Sequence, residues 1–531
     1  MAEINKNYKL ANEIIADIIK ENNIKPGEYY CGKALEIAKK IYKNLNEFVD
    51  KELKQYNWLE VHYILLEYYS KKIYELDNKD KHDEFLKHQI YILAYFIELN
   101  LDKSYSGSNA VDTNKINILI ELVSYMYILQ EDITTLNIIE NDYSNNSKAK
   151  KYLYICINEN LTIVSCLNNN TKENYDHYFH IEHDSLKNIS KEITYTLSNE
   201  LGIDFLGYML IVMLFAQKSV TNDLKPFQIE LNNVLNEIRD KKCNSRIIKI
   251  NYDEFISKLE IAPIGIKNKK EWLSKILNYL IIDKEKIKYV GDKKNEYINI
   301  DYRFKRENRF DLKPIVKKDD ILIFSRESLY TVFYQWNYCF EYFYLPYDFS
   351  LDKSKKLLRD KKKTYEKDIV SDVYNLLRKN NYKVVSEFKV DKILKDKSLV
   401  YLGGYDIIAT NDKNKEILII ECKFIKLSRD KIEALDQQKE FYGTAEKIIK
   451  KYIYHTEPLK YYDEKFQRRI YYMQDNYKKI LIKNNLIDIN IDYNIKSFMI
   501  FNRYFPPLFK EVDFEVLSFN KFKELLESNQ L

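Results

Sequence analysis

The residues best suited to chemistry in this 531-residue chain lie at 403–424, which read GGYDIIATNDKNKEILIIECKF. Two apolar, β-branched runs, 405–410 and 416–424, flank the polar turn Asn411-Asp412-Lys413-Asn414, the pattern of a β-hairpin. Side chains alternate along a strand, so Glu421 and Lys423 share one face while Ile420, Cys422 and Phe424 take the other. Asp406 is embedded in the neighbouring apolar run. Ionised groups in strands this apolar are costly unless they are paired or bind a metal. An Asp and a Glu beside a Lys form a donor set for a hard cation such as Mg²⁺ or Mn²⁺.

An Asp on one strand followed by Glu-x-Lys on the next, here Asp406 and Glu421-Cys422-Lys423, resembles the PD-(D/E)XK nuclease superfamily, the restriction-endonuclease-like fold. Upstream, TYEKDIVSDVYNLLRKNNYKVVSEFKV looks like that family's first helix and first strand, with Glu366 where many members carry a helix-borne acid. Downstream, DKIEALDQQKEFYGTAEKIIKKY looks like the helix after the second motif strand, and Gln438 and Tyr442 match the Gln-x-x-x-Tyr of RecB-like exonucleases. GGYDII is similar to the GG-x-D-I-I of Mrr-type restriction enzymes and Holliday-junction resolvases. The resemblance covers roughly the last third of the chain. It implies that Asp406, Glu421 and the Cys422 backbone carbonyl hold Mg²⁺ (or Mn²⁺) and that Lys423 steadies the attacked phosphate. It further implies that Glu366 orients a water or a second metal, and that Gln438 and Tyr442 position the scissile strand.

Composition sets the surroundings of this site. Hydrophobic residues make up 45% and charged residues 31%, with 10 Gly and 8 Pro, which is a soluble, largely helical globular protein of about three domains. The 47 Tyr accompany abundant Lys, Ile and Asn, as an AT-rich genome produces, so aromatic abundance alone is no sign of base stacking. Cys31, Cys156, Cys166, Cys243, Cys339 and Cys422 are scattered without Cys-x-x-Cys spacing, which predicts reduced thiols in a cytoplasmic protein. The charged, amphipathic start excludes a signal peptide, and the longest apolar run, 205–216, is too short to cross a bilayer. The net charge of +5 is unevenly spread: residues 351–480 hold 31 Lys and Arg against 21 Asp and Glu, so the rest of the chain is net acidic. That asymmetry suits a polyanion partner at the end bearing the candidate site.

The elements that must position these residues follow. To about residue 245 the spacing is helical, as in WLEVHYILLEYYSKKIYEL, and predicts a helical N-terminal domain (1–245). Residues 246–352 change texture. EWLSKILNYLIID predicts a helix, KIKYVGDKKNEYINIDYRF two strands, and the aromatic-rich SLYTVFYQWNYCFEYFYLPYDF an inter-domain core; together they make an intermediate α/β domain. The basic run 353–367 is expected to be an exposed linker into a third domain, 353–531. There a helix at about 463–483 carries Arg468 and Arg469, and KSFMIFNRYF and FEVLSFN supply late strands. The expected fold class is multi-domain α/β: a mostly helical N-terminal half, an α/β middle, and a restriction-endonuclease-like end with a mixed central sheet.

Two other patterns are weaker. GEYYCGKA (27–34) nearly spells a phosphate-binding loop, but Ala34 stands where Ser or Thr would hold Mg²⁺. His177, His180 and His183 fall at three-residue steps and offer zinc ligands, though a polar helix face or loop is the simpler reading. The expected function is therefore a Mg²⁺-dependent nuclease acting on DNA, as in restriction and phage-defence nucleases. The helical half would serve sensing, a regulatory partner or homo-oligomerisation. The rivals are an RNase using the same site and a non-catalytic nucleic-acid- or protein-binding scaffold.

Overall fold

The computed structural model describes residues 2–531 apart from 79–83, 104, 147–152, 157–161, 166–190, 216–228, 230–246, 261–267, 288–308, 347–350, 427–430 and 446–457. Long helices α1 (Ala2–Glu21), α2 (Cys31–Leu53), α3 (Trp58–Asn78), α4 (Glu84–Lys103) and α5 (Thr113–Asp142) open the chain. Their apolar stripes close on one core that includes Ile41, Leu45, Leu65, Tyr95 and Leu122. Asp112 starts α5 by accepting from the Asn114 amide at 2.9 Å. Helical spacing gave no warning of a small antiparallel sheet here, β1 (Gly27–Tyr29), β2 (Leu153–Cys156) and β3 (Thr162–Ser165).

The second layer comprises α6 (Lys191–Leu201), α7 (Phe205–Phe215), β4 (Ile247–Asn251), α8 (Tyr252–Glu260), α9 (Lys269–Leu280), β5 (Ile281–Ile282), α10 (Lys284–Ile287), β6 (Ile315–Lys318), β7 (Ile321–Ser325) and α11 (Arg326–Glu341). Its mixed sheet runs β4-β7-β6-β5, with only β5 and β6 parallel. The core beneath it joins Phe205 and Phe215 to Phe324 and Trp336. It therefore crosses the boundary expected at 245, because α6 and α7 bury their apolar sides here and not on the first bundle. Most of the described part of the aromatic-rich stretch packs in this core: Trp336 is fully buried, 4.9 Å from Phe205 edge to face. Most of the expected hairpin in KIKYVGDKKNEYINIDYRF, and all three spaced histidines, lie outside the described residues.

The third layer holds the motif residues. It is built from α12 (Asp352–Lys379), β8 (Lys383–Lys389), α13 (Val390–Leu394), β9 (Gly404–Asn411), β10 (Glu416–Lys423), α14 (Lys431–Tyr442), α15 (Tyr462–Ile482), β11 (Asn494–Phe501), β12 (Glu515–Ser518) and α16 (Phe519–Glu527). The sheet order is β12-β11-β10-β9-β8. β8, β9 and β10 form an antiparallel meander, and β11 and β12 add parallel to β10. One face meets α12 and α16 through Val373, Ile420, Phe498 and Phe522; the other meets α14 and α15 through Ile419, Phe441, Phe466 and Met499. A strand covered on both sides needs apolar residues at nearly every position, which is why β10 reads EILIIECK. The basic run 353–367 is not a linker but the first half of α12, whose start is fixed by Glu200 accepting from the amides of Lys353 and Ser354 at 3.0 and 2.9 Å.

Among the described residues no single helix is long and apolar enough to cross a membrane. Phe424, one residue past β10, meets Tyr365 of α12 at 5.2 Å and Phe343 at 5.5 Å, joining the motif strand to two neighbouring elements. Phe424→Ala is expected to cost about 3–5 kcal/mol, and Phe424→Leu about 1 kcal/mol, as measured by denaturant titration.

Candidate active site at the open end of the central sheet

Asp406 lies where the sheet comes apart. β9 and β10 pair in register as far as Ile420 opposite Ile407 and then separate. On the other side the β8–β9 ladder skips the Glu387–Asp406 step, and Glu387 adopts a left-handed φ of 50°. A non-glycine residue held in that region carries strain, which the surrounding sheet sustains. Both ladders thus break at Asp406, and its carboxylate fills the gap by accepting the Cys422 amide at 2.8 Å through Oδ2.

Glu421 and Lys423 share the face toward α14 and α15, while Cys422 packs in the opposite core. Lys423 Nζ lies 2.7 Å from Glu421 Oε1 and 3.6 Å from Asp406 Oδ2, so the three side chains expected to meet do meet. A fourth joins them: Arg469 of α15 places Nη2 2.9 Å from Glu421 Oε2 and also donates to the Gly404 carbonyl. The approach to Oε2 is off the hydrogen-bond axis, leaving that buried oxygen ion-paired but without an aligned donor. Side-chain exposure grades from 6% at Glu421 and 9% at Arg469 to 15% at Lys423 and 28% at Asp406, so the cluster opens to solvent on the Asp406 side.

The charges tune each other. Burial and the neighbouring Glu421 charge push Asp406 up to about 6, against the pull of Lys423 and the Cys422 amide. Burial works the same way on Glu421, but Arg469 and Lys423 outweigh it and hold that carboxyl below its ordinary range. Burial would lower Lys423; the two carboxylates reverse this and keep its ammonium charged. Burial, helped by the charges of Asp406, Glu421 and Glu366, keeps the Cys422 thiol protonated, consistent with a packing role.

The strand end is held rigid by Asn502. Its amide donates to the Lys423 carbonyl at 3.3 Å, its Oδ1 accepts from Ile425 at 2.8 Å, and its Nδ2 donates to the Ile425 carbonyl at 3.1 Å. The side chain so continues the parallel ladder beyond the last residue of β11. Carbonyls alternate sides along a strand; with that of Lys423 turned to β11, that of Cys422 turns to the gap where Asp406 stands. Two carboxylates, one with an oxygen lacking an aligned donor, and one backbone carbonyl are an all-oxygen donor set that fits a hard divalent cation. No group of three His, Cys, Asp or Glu side chains gathers as a metal cage among the described residues, so the third oxygen would be the carbonyl.

The remaining expected residues divide. Glu366 reaches the edge of the site from α12, accepting the Phe424 amide at 3.4 Å through Oε1. Gln438 and Tyr442 do not face the cluster with free polar groups. Gln438 donates to the Pro506 carbonyl at 2.7 Å and accepts from Leu508 at 3.1 Å; Tyr442 donates to the Phe505 carbonyl at 2.5 Å. Both are buried and fasten the loop after β11 to α14, a job that i and i+4 polar residues on one helix face do as readily as substrate positioning. Lys33 of the phosphate-loop-like stretch pairs with Glu36 at 2.9 Å, and a Glu140 carboxylate oxygen lies 3.3 Å from where a Cβ on Gly32 would sit, which sets a negative charge where a phosphate would need room.

Arg469 and Asn502 were not assigned roles from sequence. The signal for Arg469 was its position, three residues after Phe466 and one before Ile470 on the buried stripe of α15. A cation there requires an anion on the sheet face it covers. In comparisons with known protein families, curated proteins and solved structures, nothing matches this chain.

Asp406 gives a test that needs no substrate. Its folded-state pKa lies above the ordinary 3.8, so the folded protein binds the proton more tightly than the unfolded chain does. The stability this group lends is full below about 3.8 and is lost as pH rises to about 6. In chelator-treated protein at neutral pH, Asp406→Asn is therefore expected to be more stable than the wild type by about 1–2 kcal/mol, with a flatter pH dependence of urea denaturation across that window.

Proposed function

We propose that the C-terminal layer is a restriction-endonuclease-like nuclease that hydrolyses phosphodiester bonds of DNA with a divalent cation, Mg²⁺ or Mn²⁺. One observation carries the reading: Asp406 and Glu421 both lie within 3.6 Å of Lys423 Nζ, at the point where the sheet opens. The surrounding order supports it, with a helix, an antiparallel three-strand meander, helices, and a fourth strand parallel to the third.

Asp406, Glu421 and the Cys422 carbonyl are the groups that would hold the cation. The chemistry a divalent cation supplies, when bound, is neutralisation of phosphate charge and easier deprotonation of water. Lys423 offers a fixed positive charge to the non-bridging oxygens as negative charge builds on them. Arg469 keeps Glu421 ionised and in place. With Lys423 and Arg469 balancing the two carboxylates, the four side chains carry no net charge, so a cation leaves the site positive and suited to a phosphodiester.

The scaffold reading draws on the same balance: both oxygens of Glu421 already have a positive partner within 2.9 Å, and Asp406 has Lys423 at 3.6 Å. Incubation of the full chain with plasmid and Mg²⁺ or Mn²⁺ separates the two. Cleavage is expected, with its rate falling about 10²–10³-fold in Lys423→Ala, at least as far in Asp406→Asn, and to background with EDTA. Absence of cleavage of DNA and of a parallel RNA substrate would leave the scaffold, and cleavage of RNA alone would make the site an RNase.

A further inference from the structure

Tyr462, the first residue of α15, keeps 39% of its surface exposed beside the carboxylate cluster. Lys423 Nζ lies 5.7 Å from its ring centroid and Lys465 Nζ 5.4 Å. The ring is backed by Phe441, stacked at 5.0 Å and 29°, and Phe441 is wedged against Phe501 and Phe505 at 5.7 and 5.6 Å. The approach of α15 to α14 that permits this stack relies on Gly443. Its φ is +67°, and a Cβ there would lie 2.5 Å from the Tyr461 ring. Tyr462 is thus a partly exposed aromatic on a rigid base, with the amine of the motif lysine over its ring.

Isolated exposed aromatics are ordinary on protein surfaces. This one differs in its neighbours. A ring flanked by two ammonium groups favours a ligand combining a flat π-surface with negative charge, which is the description of a nucleotide. Lys423 touches both the carboxylates and this ring, so a phosphate meeting Lys423 brings its adjoining base to the ring. A base inside a duplex is stacked on both faces and cannot lie on a side chain; an unpaired base can.

We infer that Tyr462 is the stacking seat for the base next to the phosphate at Asp406, Glu421 and Lys423, and that the substrate there is single-stranded or locally unpaired nucleic acid. This rests on the nuclease reading above and adds a substrate class to it. Tyr462 acts as a binding residue; the reacting atoms belong to its neighbours.

The test uses the full chain with three end-labelled oligonucleotide substrates of one sequence: single strand, full duplex, and duplex with a central unpaired bubble. Wild type is expected to prefer single strand and bubble. In Tyr462→Ala the preference, as the ratio of kcat/KM on single strand to that on duplex, is expected to fall about 10-fold, mainly through KM, while Tyr462→Phe retains it. A non-cleaving readout accompanies this: 2-aminopurine in the single strand, with Ca²⁺ in place of Mg²⁺, is expected to be quenched on binding to wild type and Tyr462→Phe but not to Tyr462→Ala. A wild type that cleaves but prefers duplex, or a Tyr462→Ala protein with wild-type ratio and quenching, overturns this inference and leaves the nuclease intact. A wild type that neither binds nor cleaves any of the three overturns both.

Discussion

Four charges held at one corner of a sheet set the terms for everything around them. Glu421 is among the most buried acids described, and a lone carboxylate there would cost several kcal/mol in lost hydration. Arg469 on one oxygen and Lys423 on the other make it tolerable, and Lys423 in turn ties in Asp406. A hydrophobic foursome of similar volume would hold this corner together at least as well. Stability alone therefore gives no account of why the charges are there, and the proposed chemistry on an anion would supply one.

The backbone around them is arranged to keep that corner from closing. An uninterrupted antiparallel ladder would pair Asp406 with Glu421 and with Glu387, and bury their backbone groups in regular hydrogen bonds. Instead Glu387 takes a left-handed conformation, and the Asp406 carboxylate does what a backbone carbonyl would have done for the Cys422 amide. On the far side Asn502 prolongs the β10–β11 pairing with its side chain. One edge of the motif strand is unzipped and the other is clipped, which opens a notch without loosening the strand that lines it.

How much of this the sequence made visible depended on the range of the interaction. The hairpin, the shared face of Glu421 and Lys423, and the packing role of Cys422 follow from strand alternation, a rule local to a few residues, and the structure has them so. The meeting of Asp406 with that face follows from one tight turn. Arg469 lies 48 positions beyond Glu421 in the chain, and no local rule joins a helix to a strand that far away. The polar groups of Gln438 and Tyr442 went to a loop 63 to 70 residues downstream for the same reason. The basic start of α12 misled because charge predicts exposure and not shape: lysines on an exposed helix face and lysines in a linker have the same composition. In the small first sheet, β2 and β3 pair locally, but β1 joins β2 from more than a hundred residues away, beyond the reach of any periodicity.

Those long-range ties also decide where the helical half touches the rest. The end of α5 meets the C-terminal layer through Asp142 on Lys439 at 2.7 Å and through Asn146, whose Nδ2 donates to the carbonyls of Thr444 and Phe509 at 3.1 and 2.9 Å; Tyr143 packs against Phe509. Beside Phe509 stands Lys510, buried, with its ammonium donating to the Tyr442 carbonyl and paired with Asp463 at 2.6 Å. Asp463 is the second residue of α15, between Tyr462 and the turn that ends at Arg469. Burial pushes its carboxyl up to about 7 despite the lysine, so the pair is a dry one. Removing either partner would leave an uncompensated charge in the interior, which makes the pair a fixed point of this contact. The first bundle thus rests on the loop and helices that aim Tyr462 and Arg469.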